Sequence, residues 1–150
     1  MNNVFPAREV PLRRAPIAPE GRIDVTHVSG PSYAVFVRDH ELTVDQPVEA
    51  GGDNDGPTPV ELFVASLAAC VAYYAGQFLQ RHHLPYENLR VRTEFDMAGD
   101  RPPRVAAVRM RIQTPGPLTA ARQEALRAVV DHCTVHNSLR RLPRISVDIG

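Results

Sequence analysis

At 150 residues the chain can bury one hydrophobic core of ordinary domain size, and its apolar fraction of 43% fits a globular protein. Seventeen basic residues balance seventeen acidic ones, and no basic stripe follows a phosphate backbone, which argues against nucleic acid as a partner. The longest apolar run, from Val60 to Ala75, is interrupted by Glu61 and Ser66 and is shorter than the ~20 residues of a membrane span. With no charged segment leading into an apolar one at the start, a cytoplasmic protein without a membrane partner is expected.

Residues 1–20 carry Pro6, Pro11, Pro16 and Pro19 among Arg8, Arg13 and Arg14. Proline lacks an amide donor and restricts its neighbour, so an N-terminal arm is expected, followed by a single domain over residues 21–150. Alternation of side chains predicts strands at 22–29 and 33–38 around the turn Gly30-Pro31-Ser32, and a third at 41–44. A polar loop with Gly51, Gly52 and Gly56 then leads into Pro57-Thr58-Pro59-Val60-Glu61. Thr58 can cap, Pro59 suits the first helical position and Glu61 can close a capping box. The helix should run to about Arg81. Its many alanines and Gly76 mark a central helix packed closely by another.

Residues 89–95 and 105–113 alternate apolar with charged side chains and predict a hairpin with one wet face. Thr119 can cap a second helix to about Cys133, its inner face formed by Leu126, Val129, Val130 and Cys133. A last strand is expected at 144–149. The predicted order is β-β-β-α-β-β-α-β, an α+β domain.

The only two cysteines, Cys70 and Cys133, lie 63 positions apart, too far for a C-x-x-C motif and too few for a disulfide scaffold. A cytosolic pair of this kind is either inert core filling or redox chemistry. Both fall on apolar helix faces, which allows packing to bring them together. Cys133 with His136 also suggests zinc, but His132 and Cys133 point about 100° apart and no second clustered pair completes a ligand set. No metal or bound cofactor is expected. Tyr73 and Tyr74 read as packing residues, and His82-His83 suits the negative end of the first helix.

The stretch Gly51 to Cys70, with its Gly-Gly-x-x-x-Gly-Pro-Thr-Pro-Val-Glu sequence, resembles the OsmC family, which includes the organic hydroperoxide resistance (Ohr) proteins. Cys133-Thr134-Val135-His136-Asn137-Ser138-Leu139 resembles that family's second signature, and Asp45-Gln46-Pro47 also fits. The resemblance spans about residues 25–149. It implies an OsmC-like intertwined homodimer with two central helices packed on curved antiparallel sheets. It also implies a thiol peroxidase of oxidative or osmotic stress defence. Cys70 would attack an organic hydroperoxide, Cys133 would resolve the sulfenic acid to a disulfide, and an external lipoyl-type dithiol or small thiol would reset it.

The sequence departs from the Ohr pattern at the activating charge. The first turn, Ser29-Gly30-Pro31-Ser32, has no arginine, and Val60 stands ten residues before Cys70 where that branch has glutamate. Glu61, one residue on, reads as a helix cap or as a shifted site carboxylate. Arg38 and Arg22 are the substitute cations. A dimeric module of the same fold, holding a small hydrophobic ligand with little thiol chemistry, is the alternative reading.

Overall fold

The computed structural model describes residues 21–150, so the expected arm at residues 1–20 lies outside the described residues. The described chain forms two compact units, one ending at Pro59 and the other beginning at Val60.

The N-terminal unit is an antiparallel meander. Strand β1 (Ile23–Ser29) pairs with β2 (Ser32–Val37), which pairs with β3 (His40–Val44). The β2–β3 turn is two residues long, because Val37 faces His40, and Arg38 takes a left-handed φ of 53° there. Beyond β3, Asp45 has no exposed surface. Its carboxylate accepts the backbone amides of Gln46 at 2.7 Å, Asp53 at 3.0 Å and Asp55 at 3.1 Å. The amide of Asp55, then those of Gln46 and Asp53, hold its carboxyl below the usual range against the cost of burial. The glycine loop is thereby wound around one anion. Gly52 and Gly56 are required sterically, since a Cβ on either would collide with the backbone carbonyl of Gln46 or Thr43.

The second unit is built on helix α1 (Pro59–Arg81), with the bounds its proline start and Arg-His-His end predict. By length and composition α1 could cross a membrane. One stripe of it, Val64, Leu67, Val71, Ala75, Phe78 and Leu79, is buried at the three-and-four spacing of a core helix. Strands β4 (Arg90–Met97) and β5 (Val105–Gln113) form the predicted hairpin. Val91, Thr93 and Phe95 are the half-buried positions of β4, while Asp96 pairs with Arg109 on the wet face.

Helix α2 (Ala120–Val130) opens with Thr119 Oγ1 accepting the Arg122 amide at 3.3 Å. Leu126 joins Ala75, Phe78 and Leu79 in one buried cluster.

The α+β class and its antiparallel sheets are those expected, but the structure corrects the order at the C-terminal end. The second helix stops at Val130 and does not reach Cys133. The amides of His132 and Cys133 bond back only three residues, to Val129 and Val130 at 3.1 Å each, which tightens and ends the helix. A separate helix, α3 (Thr134–Arg140), follows. No strand forms at residues 144–149. Ile145 (81% exposed), Val147 (82%) and Ile149 (98%) alternate as a strand should, but the segment finds no edge to pair with within the described chain. A strand's backbone groups need a neighbour, and periodicity alone does not supply one.

Candidate thiol site

The break after α2 places Cys133. As the residue preceding α3 it has extended backbone, φ −54° and ψ 130°, which directs its side chain into the core. Cys133 is fully buried with Leu67 and Val71 of α1. Cys70, one helical turn beyond Leu67 on the same face, packs against this cluster and is half-buried. Val91, Val108, Met110 and Ile112 of the hairpin cover it, with Val130 and Val135 beside them.

The two thiols are free and in hydrogen-bond contact. Burial first, and then the hydrogen bond to Cys70, push the Cys133 thiol above its ordinary value of 9.0. The amides of His136 and Val135 pull the other way. Cys133 is thus the sealed partner of the pair, and Cys70 the more accessible one. Sequence spacing allowed this proximity without requiring it.

One tie was missed. The Tyr74 hydroxyl lies 3.0 Å from Thr134 Oγ1, joining α1 to the first residue of α3 beside the thiols. Two spacings hint at it: Tyr74 lies one turn after Cys70, and Thr134 adjoins Cys133. The Asn137 side-chain amide bonds the His132 carbonyl at 3.1 Å and fastens the bend between α2 and α3.

Of the other expected site residues, Glu61 stands apart from Cys70 along α1. Glu61 is exposed in the first turn of α1. Nine residues place it about 13 Å along the axis from Cys70 and half a turn out of phase. Arg22 and Arg38 belong to the N-terminal unit, and Arg22 is held by Asp24 at 3.1 Å. Among the described residues no group of three or more histidine, cysteine or acidic side chains could hold a metal ion.

A groove of about 860 Å³ opens between β5 and α2. Met110, Ile112, Leu118, Leu126 and Val130 supply its apolar lining, with Arg111 and Arg127 among its other residues. Met110, Ile112 and Val130 also cover the thiol cluster, so groove and thiols share a wall.

The OsmC-like protein family matches residues 52–148, nearly all of the described second unit and the end of the glycine loop. Among curated proteins nothing matches. A solved structure from Psychrobacter arcticus 273-4, assigned to osmotic stress induction and detoxification response, is similar with a TM-score of 0.71 at 23% identity. The match covers 77% of this chain and 85% of that one. An OsmC like protein from Mycoplasma pneumoniae aligns with a TM-score of 0.65 at 17% identity, over 82% and 90% of the two chains. An organic hydroperoxide resistance protein OsmC from Legionella pneumophila aligns with a TM-score of 0.60 at 20% identity, over 79% and 88%. At these identities the structures attest the fold, and the family match over most of the chain supplies the membership: this protein belongs to the OsmC-like family.

Proposed function

We propose that this protein is a thiol-dependent peroxidase for organic hydroperoxides, with Cys70 as nucleophile and Cys133 as resolving thiol. The hydrogen bond between two cysteines 63 positions apart carries this reading. Membership of a family with an organic hydroperoxide resistance protein among its structural neighbours supports it.

The Cys70 thiolate attacks the terminal oxygen of the hydroperoxide. The O–O bond breaks, an alcohol leaves, and Cys70 becomes a sulfenic acid. Cys133 then attacks that sulfur, water departs and a disulfide forms. An external dithiol, such as a lipoyl group, or a small thiol restores both cysteines, so no bound cofactor is needed. The half-exposed thiol meets the substrate and the sealed one resolves, which fits the assignment of roles. The groove sharing Met110, Ile112 and Val130 with the thiols suits an apolar organic group.

A homodimer completes the proposal. Phe63 and Tyr73 stand exposed on α1, and Ile145, Val147 and Ile149 are uncovered at the C-terminal end. That amount of bare apolar surface marks an interface. Arg38 is the candidate to ionise Cys70 in that assembly, because Arg22 is already engaged by Asp24. The setting proposed is cytoplasmic defence against oxidative or osmotic stress.

The test adds cumene hydroperoxide to the reduced protein, counts free thiols, and follows peroxide loss with dihydrolipoamide present. Rapid loss of both thiols and sustained turnover are expected. Unchanged thiols, together with tight binding of an apolar fluorescent ligand, would instead establish the hydrophobic-ligand module that the groove also favours.

A further inference from the structure

Among the described residues, one side-chain hydroxyl is buried with no hydrogen-bond partner: Thr93 Oγ1 on β4. Native structures contain few such groups, because water's hydrogen bonds are given up and nothing replaces them. The register of the hairpin says where this one points. Thr93 shares a face of β4 with Val91, two residues away, and stands opposite Met110. Val91 and Met110 both pack on the cluster holding Cys133 and Cys70, as do Val108 and Ile112. Those four neighbours are hydrocarbon or thioether. Thr93 therefore brings a hydrogen-bond donor to an otherwise apolar sheet face over the thiols, and it is bonded to neither sulfur.

We propose that Thr93 is a catalytic residue whose hydroxyl donates a hydrogen bond to the leaving oxygen of the peroxide. This rests on the reading of Cys70 as a peroxide-reducing nucleophile. In the step concerned, a sulfur lone pair of the Cys70 thiolate forms the S–O bond to the terminal oxygen. The O–O bonding pair passes to the carbon-bearing oxygen, which leaves as alkoxide and takes a proton from water. Sulfur is oxidised to the sulfenic acid and the peroxide is reduced to the alcohol. Negative charge grows on the leaving oxygen inside an apolar wall. A fixed neutral donor stabilises it there more than it would in water. Thr93 keeps its own proton throughout.

Thr93→Val preserves the shape of the side chain and removes only the donor, whereas Thr93→Ser keeps it. The measurement is the second-order rate of Cys70 oxidation, by stopped flow, across hydroperoxides whose leaving alcohols differ in acidity. For Thr93→Val the rate should fall at least about tenfold. It should also depend more steeply on alcohol acidity, because the leaving oxygen now carries its charge unaided. Thr93→Ser should stay near wild type, and Thr93→Val should melt no lower than wild type, since no native hydrogen bond is lost. A wild-type rate in Thr93→Val overturns the proposal. So does a slower rate with unaltered dependence on the leaving group and a lowered melting temperature, which marks a packing role. Should Thr93→Val not fold, Thr93→Ala carries the same comparison. If wild-type protein itself keeps both thiols under hydroperoxide, the peroxidase reading fails first and Thr93's role goes with it. Wild-type activity with an indifferent Thr93→Val sinks this inference alone.

Discussion

The Tyr74 hydroxyl sits 3.0 Å from Thr134 Oγ1, fastening the middle of α1 to the start of α3. The neighbours of these two residues along the chain include the paired thiols. Tyr74→Phe removes this tie while keeping the ring against the cluster. A stability loss of about 0.5–1 kcal/mol is expected, read from urea denaturation. Disulfide closure after Cys70 oxidation should also slow, because Cys133 is less firmly aimed. Wild-type stability together with a wild-type closure rate would show that the tie does not position Cys133.

The two thiols should behave asymmetrically. Cys70→Ser should abolish peroxide consumption. Cys133→Ser should allow one oxidation, after which mass spectrometry finds a second oxygen accumulating on Cys70 as sulfinic acid. Sustained turnover by Cys133→Ser with no resolving thiol added would contradict the resolving role. In native wild-type protein, iodoacetamide should label half-buried Cys70 well before sealed Cys133, and urea should erase the difference.

The raised Cys133 thiol ties stability to alkaline pH. The folded protein holds this proton above the ordinary value of 9.0, so the contribution is fully present below that value and is lost as pH rises through the folded one. Reduced wild type should lose stability above about pH 9 more steeply than Cys133→Ala, whose cavity cost does not vary with pH. Parallel pH profiles of unfolding midpoint would refute the assignment.

Asp45 predicts the opposite dependence. Its carboxyl is held below the ordinary 3.8 by amides of the glycine loop, that of Asp55 foremost. Its contribution is present above 3.8 and fades as pH falls through the lower folded value. Asp45→Asn should lower the melting temperature by several degrees at neutral pH, with the gap to wild type closing below that window. A gap of constant size from pH 7 to pH 2 would mean that the charge is not what orders the loop.

The bare alternation at the C-terminal end supports a prediction about assembly. Val147→Asp places a charge in the middle of Ile145, Val147 and Ile149, where a pairing strand would bury it. Light scattering should find a dimer for wild type and a shift toward monomer for the variant, with helix content unchanged. An unaltered dimer mass would take this segment out of the interface.

What could be read before folding was local or carried by motif. Pro59 and the Arg81-His82-His83 end bound α1 because helix starts and stops are written in neighbouring residues. Alternating Val91, Thr93 and Phe95 gave the inner face of β4 because strand period is a backbone property. The cysteine signatures indicated the family, and the family match agrees with them.

Other features were decided only by packing between distant residues. Whether Cys70 meets Cys133 depends on how α1 lies against the α2–α3 bend, and no 63-residue spacing states that. The end of α2 three residues short of Cys133 comes with amides of His132 and Cys133 that bond back only three residues, although Leu126, Val129 and Val130 would allow the helix to continue. The expected strand at 144–149 failed for a related reason: alternation marks a segment able to pair, but an edge must be present to accept it. Thr93 looks like any strand threonine in one dimension. It becomes a buried, unpartnered donor only once Met110 stands opposite it and the hairpin folds over the thiols.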